Sequence, residues 1–152
     1  MNRTEKTVFD YYKDKGWETD GESTEDAIKA EDLRKNSQEY VSKCRMRIFE
    51  HIPKNGKYIL DMASGTVQYP EYLEFSKNFV KRYCVDFSER ALEGAKEKLG
   101  DRGKYLCGSF FDLAIEDNFF DCSISLHTIY HMDKDKQEEA VRKLIEQSKK
   151  LS

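Results

Sequence analysis

The chain has 152 residues, enough for one domain with a real core, and carries 26 basic against 29 acidic side chains, a formal charge of −3. That mildly acidic balance argues against counterion-driven binding to nucleic acid. No apolar run approaches the roughly 20 residues that span a bilayer, and the N-terminus MNRTEKTVFDYY lacks the apolar stretch of a secretory signal.

The first third reads as helices. Val8, Phe9, Tyr11 and Tyr12 form an aromatic cluster ending near Gly16-Trp17. Ser23 and Thr24 are suited to cap a helix through DAIKAEDLRK, with acids in its first turn. In SQEYVSKCRMRIFEHIP, Val41, Cys44, Ile48 and Ile52 fall on one helical face, and Pro53 and Gly56 end the segment. From Lys57 short apolar runs alternate with helices. YIL is a first strand ended by Asp61, and Pro70 starts the helix PEYLEFSKN. FVKRYCV is a second strand, followed by Asp86 and a helix capped by Ser88, with Leu92, Ala95 and Leu99 as its stripe and Gly100 as its stop. KYLCG and FFDCSISL read as third and fourth strands. Asp133 stands at the start of a last helix whose predicted stripe is Val141, Leu144, Ser148 and Leu151.

This alternation predicts an α/β fold: a Rossmann-like, doubly wound, mostly parallel sheet with four readable strands, behind an N-terminal helical segment. The expected division is residues 1–56 for the helical lid or substrate segment and 57–152 for the core. Ligands in such sheets sit beyond the carboxyl ends of the strands, and Asp61, Asp86, Ser109 and His127 all fall at or just past predicted strand ends. Small residues Ala63, Ser64 and Gly65 let the backbone approach a ligand. Asp86, 25 residues after Asp61, is placed to take ribose hydroxyls. Phe87 is a candidate to lie against a purine, with Ser109 and the Phe110 backbone at its edge. Each of these also has an ordinary reading: a simple strand-to-helix turn, a satisfied loop serine, core phenylalanines. The loop lacks the GxGxxG of a dinucleotide site, and Val67-Gln68 argue against NAD.

The series ILDMASG, VDFSERAL, GSFFDL and DNFFDCSISLHTIYHM resembles, in order and spacing, the successive motifs of class I S-adenosylmethionine-dependent methyltransferases over residues 57 to 151. The resemblance implies S-adenosylmethionine as cofactor, with Asp61, Ala63, Ser64 and Gly65 on its methionine side and Asp86 on the ribose. Phe87, Ser109 and Phe110 would surround the adenine, with Leu126 of the fourth-strand end beside the methionine. Three departures stand out. The loop keeps the middle glycine, Gly65, but has Ala63 and Val67 where glycines are usual. Ala63 is a mild change if its φ is negative, whereas Val67 is expected to bar a left-handed conformation. Ser109 replaces a frequent acid, which weakens the expected contact to the adenine amine.

His127 and His131 are the candidate bases for an acceptor amine or hydroxyl; the competing reading has one packed under the last helix and the other solvated. HTIYH has no evident third metal ligand, so no metal site is expected. Tyr11, Tyr12 and Trp17 belong either to a lid over the donor or to a satellite cluster. Cys44, Cys84, Cys107 and Cys122 show no CxxC spacing, which suits a reduced, cytoplasmic setting. The expected function is methylation of a small-molecule acceptor, with a catalytically inactive methyltransferase-like binding module as the alternative and neither nucleic acid nor membrane as partner. The family sheet has more strands than are readable here. The chain is therefore expected to be truncated after the fourth strand, with the missing segment or an oligomeric partner covering that edge.

Overall fold

A computed structural model of the protein describes residues 3–14 and 38–150. The segments assigned from sequence to Gly16-Trp17, to DAIKAEDLRK and to Leu151 lie outside the described residues. Helix α1 is Arg3–Asp14, and α2 is Gln38–Met46, tightening into a single 3-10 turn at Arg47–His51. Strand β1 (Gly56–Met62) leads through a loop to α3 (Pro70–Glu74). Then come β2 (Phe79–Asp86), α4 (Glu89–Leu99), β3 (Gly103–Cys107), β4 (Cys122–Ser125) and α5 (Lys134–Gln147).

The four strands form one parallel sheet in the order β3-β2-β1-β4. The chain winds outward from β1 to β3, then returns to the other side of β1, so the switch in strand order lies between β1 and β4. Parallel β1 carries alternate residues to opposite faces, both buried: Ile59 joins an apolar cluster with Val67, Phe75, Phe79, Leu92 and Ala95. Leu60 and Met62 join a second cluster with Val85, Phe110, Phe120 and Ala140 on the α5 face. The fold is thus the expected doubly wound α/β arrangement. Ser88 caps α4 by accepting from the Ala91 N–H (3.2 Å), and Gly100 ends that helix at φ 54°, a conformation that favours glycine.

Four elements differ from the sequence reading; the helix read as PEYLEFSKN is confined to Pro70–Glu74, with turns over residues 75–78. Along α2 and the turn that follows it, Ile52 reaches the core and Ile48 packs against it, but Val41 and Cys44 turn toward a cavity instead. On α5, Val141 is 43% exposed, and the inward positions are Ala140 and Gln147, with Leu144 half-buried. The helix is rotated because its Lys143 reaches carbonyls beneath it and alanine at 140 permits close approach to the sheet. β4 is shorter than FFDCSISL because Phe119 and Phe120 bond to the end of α5: both N–H groups donate to Gln147 O, and Lys149 N–H donates to Phe120 O (2.8 Å). The Phe120–Ser148 bridge is parallel and lies on the side of β4 away from β1.

Candidate functional site

At the carboxyl ends of the strands lies a cavity of about 950 Å³, at the upper end of the roughly 300–1,000 Å³ of small-molecule sites. Tyr12, Ala63, Ser64, Gly65, Asp86, Phe87, Ser109, Phe110, Leu126, His127 and His131 all line it. Of the described residues singled out from sequence as donor or lid candidates, Asp61 and Tyr11 are absent from its wall.

Asp61 is buried under the loop instead. Its Oδ2 accepts from Arg82 Nη2 (2.6 Å) and Nε (3.1 Å), and Arg82 is itself 1% exposed. Arg82 Nη1 also donates to Tyr72 O and Ser76 Oγ, so one guanidinium ties β1, β2 and α3 together. Burial pushes the Asp61 carboxyl above its ordinary range, and the arginine opposes that shift. A buried arginine in a strand carries no pattern by itself; only the facing acid explains it.

The loop after β1 turns on three left-handed residues: Ala63 (φ 57°), Gly65 (φ 55°) and Val67 (φ 54°). Valine at 67 therefore does adopt the conformation that its branched side chain was expected to bar. The reason is tertiary. Its side chain is fully buried in the core, its N–H donates to Ser64 O (3.2 Å), and its carbonyl accepts from Lys98 Nζ (2.9 Å). Packing of that kind can hold a residue whose local strain is about 1–3 kcal/mol. Ala63 has positive φ too, so it is not the mild change that a negative φ would have made it.

Three of the loop's amides are occupied within the protein. Ser64 N–H donates to Val85 O (3.1 Å), Gly65 N–H to Asp86 Oδ2 (2.9 Å), and Val67 N–H to Ser64 O. Those three amides are therefore not offered to a phosphate. Asp86 holds the first loop to the second: Oδ2 takes Gly65, and Oδ1 takes Ser88 N–H (2.9 Å). Each oxygen keeps lone pairs for a ligand hydroxyl. Burial raises the Asp86 pKa to about 6, against the lowering effect of the Ser88 and Gly65 N–H groups.

Phe87 stacks on Phe9 of α1 with ring centroids 4.7 Å apart, and Ser88 Oγ donates to Lys13 O (3.3 Å). These contacts seat α1 on the turn that carries Asp86. Ser109 Oγ accepts from Phe111 N–H (3.3 Å), the ordinary turn role weighed for it. His127 is exposed at φ 56°, and the His131 ring lies 4.1 Å from that of Tyr130. Neither is packed deep under the last helix. The far wall is made by Tyr40, Cys44 and Arg45 of α2, with Tyr69 before α3 and Tyr72 within it; of these, the sequence points only to Arg45 for contact with a ligand, as a residue able to meet a carboxylate or phosphate. Arg45 stands 3.4 Å over the Tyr69 ring and 3.7 Å from Glu71. Tyr69 at the cap of a short helix and Tyr72 within its first turn were the available signal.

The sequence profile of the methyltransferase domain family matches residues 60–149. The chain belongs to that family. The matched span runs from β1 through α5 and contains the loop, Asp86 and both histidines. No curated protein matches the methyltransferase chain. Solved structures share its fold. One is phosphoethanolamine N-methyltransferase 1 of Haemonchus contortus, in complex with phosphoethanolamine and S-adenosylhomocysteine (16% identity, TM-score 0.70, 96% of this chain and 29% of that one). Another is magnesium protoporphyrin IX methyltransferase of Synechocystis with bound SAM (16%, 0.67, 97% and 73%). A third is the YcgJ protein of Bacillus subtilis (20%, 0.58, 73% and 47%). The methyltransferase chain thus spans about half the length of the Bacillus protein. Among the described residues, no cluster of histidine, cysteine or acid side chains could hold a metal, and no helix is long and apolar enough to cross a membrane.

Proposed function

We propose that this domain transfers a methyl group from S-adenosylmethionine to a small-molecule acceptor. The observation that carries the reading is Asp86. It is a buried carboxylate at the carboxyl end of β2, bound to the Gly65 amide, beside a loop in which the Ser64, Gly65 and Val67 amides are used internally. That combination suits a nucleoside without a phosphate chain. The bound SAM of the Synechocystis enzyme supports the same donor.

In this reading, when bound, the cofactor supplies an electrophilic methyl on a sulfonium sulfur. Asp86 accepts hydrogen bonds from the ribose hydroxyls, and Ala63, Ser64 and Gly65 lie against the methionine portion. Phe87, Ser109 and Phe110 enclose the purine, Leu126 sits beside the methionine, and Tyr12 closes over the donor from α1. The α2–α3 wall, with its tyrosines and Arg45, faces the acceptor. Transfer needs the acceptor lone pair in line with the breaking carbon–sulfur bond and water excluded, which this largely apolar wall promotes. His127 or His131 takes the proton that the acceptor loses. A binding module without turnover is the second reading, favoured by the exposure of His127.

Calorimetric titration with S-adenosylmethionine and S-adenosylhomocysteine, with NAD as control, tests the donor. Saturable binding of the first two alone is expected; binding of NAD alone would overturn the assignment.

A further inference from the structure

We propose, on the donor reading above, that the acceptor is a neutral aromatic molecule bearing a ring hydroxyl, and that Tyr72 selects it by hydrogen-bonding that oxygen. The α2–α3 side of the cavity carries Val41 and Cys44 together with the rings of Tyr69 and Tyr72, which meet edge to face with centroids 5.1 Å apart. Such a wall takes an aromatic ring through edge and face contacts, and a few placed polar groups orient it. Tyr72 supplies one. It is 5% exposed, its ring packs on Phe75 (5.4 Å), and its carbonyl accepts from Arg82 Nη1. Ring and backbone are thus fixed, whereas its hydroxyl makes no hydrogen bond among the described residues and is not sealed from the cavity. Burial pushes its pKa up to about 12, against the lowering charge of Arg45, so it keeps its proton at neutral pH and serves as a donor.

The charges around it select a neutral partner. Arg45 Nη1 lies 3.7 Å from Glu71 Oε2, and that buried oxygen accepts no hydrogen bond. The Arg45 charge is therefore what compensates Glu71 among the described residues. Drawing it onto an anionic acceptor would strand a buried carboxylate, which costs more than the new pair returns. A cationic acceptor meets the Arg45 guanidinium already stacked 3.4 Å over Tyr69. Lys136, on the cavity wall from α5, is paired with Glu139 (2.7 Å). A charged acceptor of either sign thus gives up hydration on the α2–α3 side without gaining a counterion, whereas a neutral hydroxyl exchanges water for Tyr72.

Calorimetry on the chain saturated with S-adenosylhomocysteine tests this with 4-ethylphenol, 4-hydroxyphenylacetate and tyramine, which share a phenol ring and differ in charge, and with ethylbenzene, which lacks the hydroxyl. Wild type should bind 4-ethylphenol at least about tenfold tighter than either charged compound. Tyr72→Phe keeps the ring and its packing, so the variant should fold. It should bind 4-ethylphenol roughly 3- to 10-fold more weakly, the worth of one hydrogen bond between neutral groups. Its affinities for ethylbenzene and S-adenosylhomocysteine should stay within about twofold of wild type, which a merely structural role for Tyr72 would not allow. A charged compound bound as tightly as 4-ethylphenol, or no binding of 4-ethylphenol by a chain that holds S-adenosylhomocysteine, overturns the neutral acceptor and leaves the donor reading standing. An unchanged affinity of the variant for 4-ethylphenol, or a loss shared equally by ethylbenzene, overturns the role of Tyr72. Wild type that binds no S-adenosylhomocysteine overturns the donor reading and this inference with it.

Discussion

Asp86→Asn should make the free domain more stable at neutral pH while removing its affinity for the donor. The carboxyl is 6% exposed and its pKa is raised from 3.8 to about 6. At about 1.4 kcal/mol per tenfold, keeping it ionised lowers native stability by about 3 kcal/mol. The sign follows from the direction. A carboxyl raised on folding contributes stability that is complete below its ordinary pKa and is lost as pH rises through about 6. Asparagine removes the charge and keeps one oxygen for Gly65 N–H. It then sets its amide nitrogen against Ser88 N–H, which costs about 1–2 kcal/mol. The net gain at pH 7.5 is about 1–2 kcal/mol, with Tm higher by roughly 3–6 °C. Urea denaturation at pH 7.5 and at pH 4 measures it, with S-adenosylhomocysteine titration beside it. The variant should be more stable only at the higher pH, and its affinity should drop at least about tenfold, since an amide cannot replace an acceptor-only carboxylate at two hydroxyls. A variant destabilised equally at both pH values would refute the reasoning, because the native carboxylate would then carry no burial penalty.

Donor affinity of the wild-type domain should fall as pH drops below about 6, where Asp86 protonates in the free protein; titration between pH 5 and 8 reads this, and a flat profile removes Asp86 from the site. Ala63→Gly should raise stability by about 0.5–1 kcal/mol by relieving a positive φ, whereas Val67→Gly should lower it by about 1–3 kcal/mol, because the lost buried side chain outweighs the strain removed. Urea midpoints moving the opposite way at either position would contradict that balance. Arg82→Met should cost about 3–5 kcal/mol by stranding Asp61, and adding Asp61→Leu should recover most of it; a double variant no better than the single one would mean that the ion pair is not the main contribution. His127→Ala and His131→Ala should leave donor affinity within about twofold while one of them lowers turnover by roughly 100-fold or more. Full turnover in both eliminates the histidines as bases.

Much of the fold was legible because it is written locally. Ser88 and Gly100 bound α4 through bonds to residues within one turn. The apolar runs of β1 and β2 mark strands buried on both faces, and Asp86 at the end of β2 marks the cavity wall, since strand ends follow directly from where an apolar run stops. The order of these elements, with right-handed crossovers, leaves few sheets to choose from.

What tertiary structure decided depends on partners far along the chain. Asp61 reads as a site acid until Arg82, 21 residues on, is seen to hold it beneath the loop. Val67 reads as a bar to a left-handed turn until burial and Lys98, 31 residues on, hold it there. The stripe of α2 is apolar whether it faces the core or the cavity, and only the placement of α3 and the sheet sends Val41 and Cys44 to the cavity. The sequence by itself determined which residues could meet at the strand ends, because periodicity and capping are short-range. Which side chains face the cavity and which hold its walls was settled by packing, because each such choice balances burial, strain and charge contributed by several elements at once.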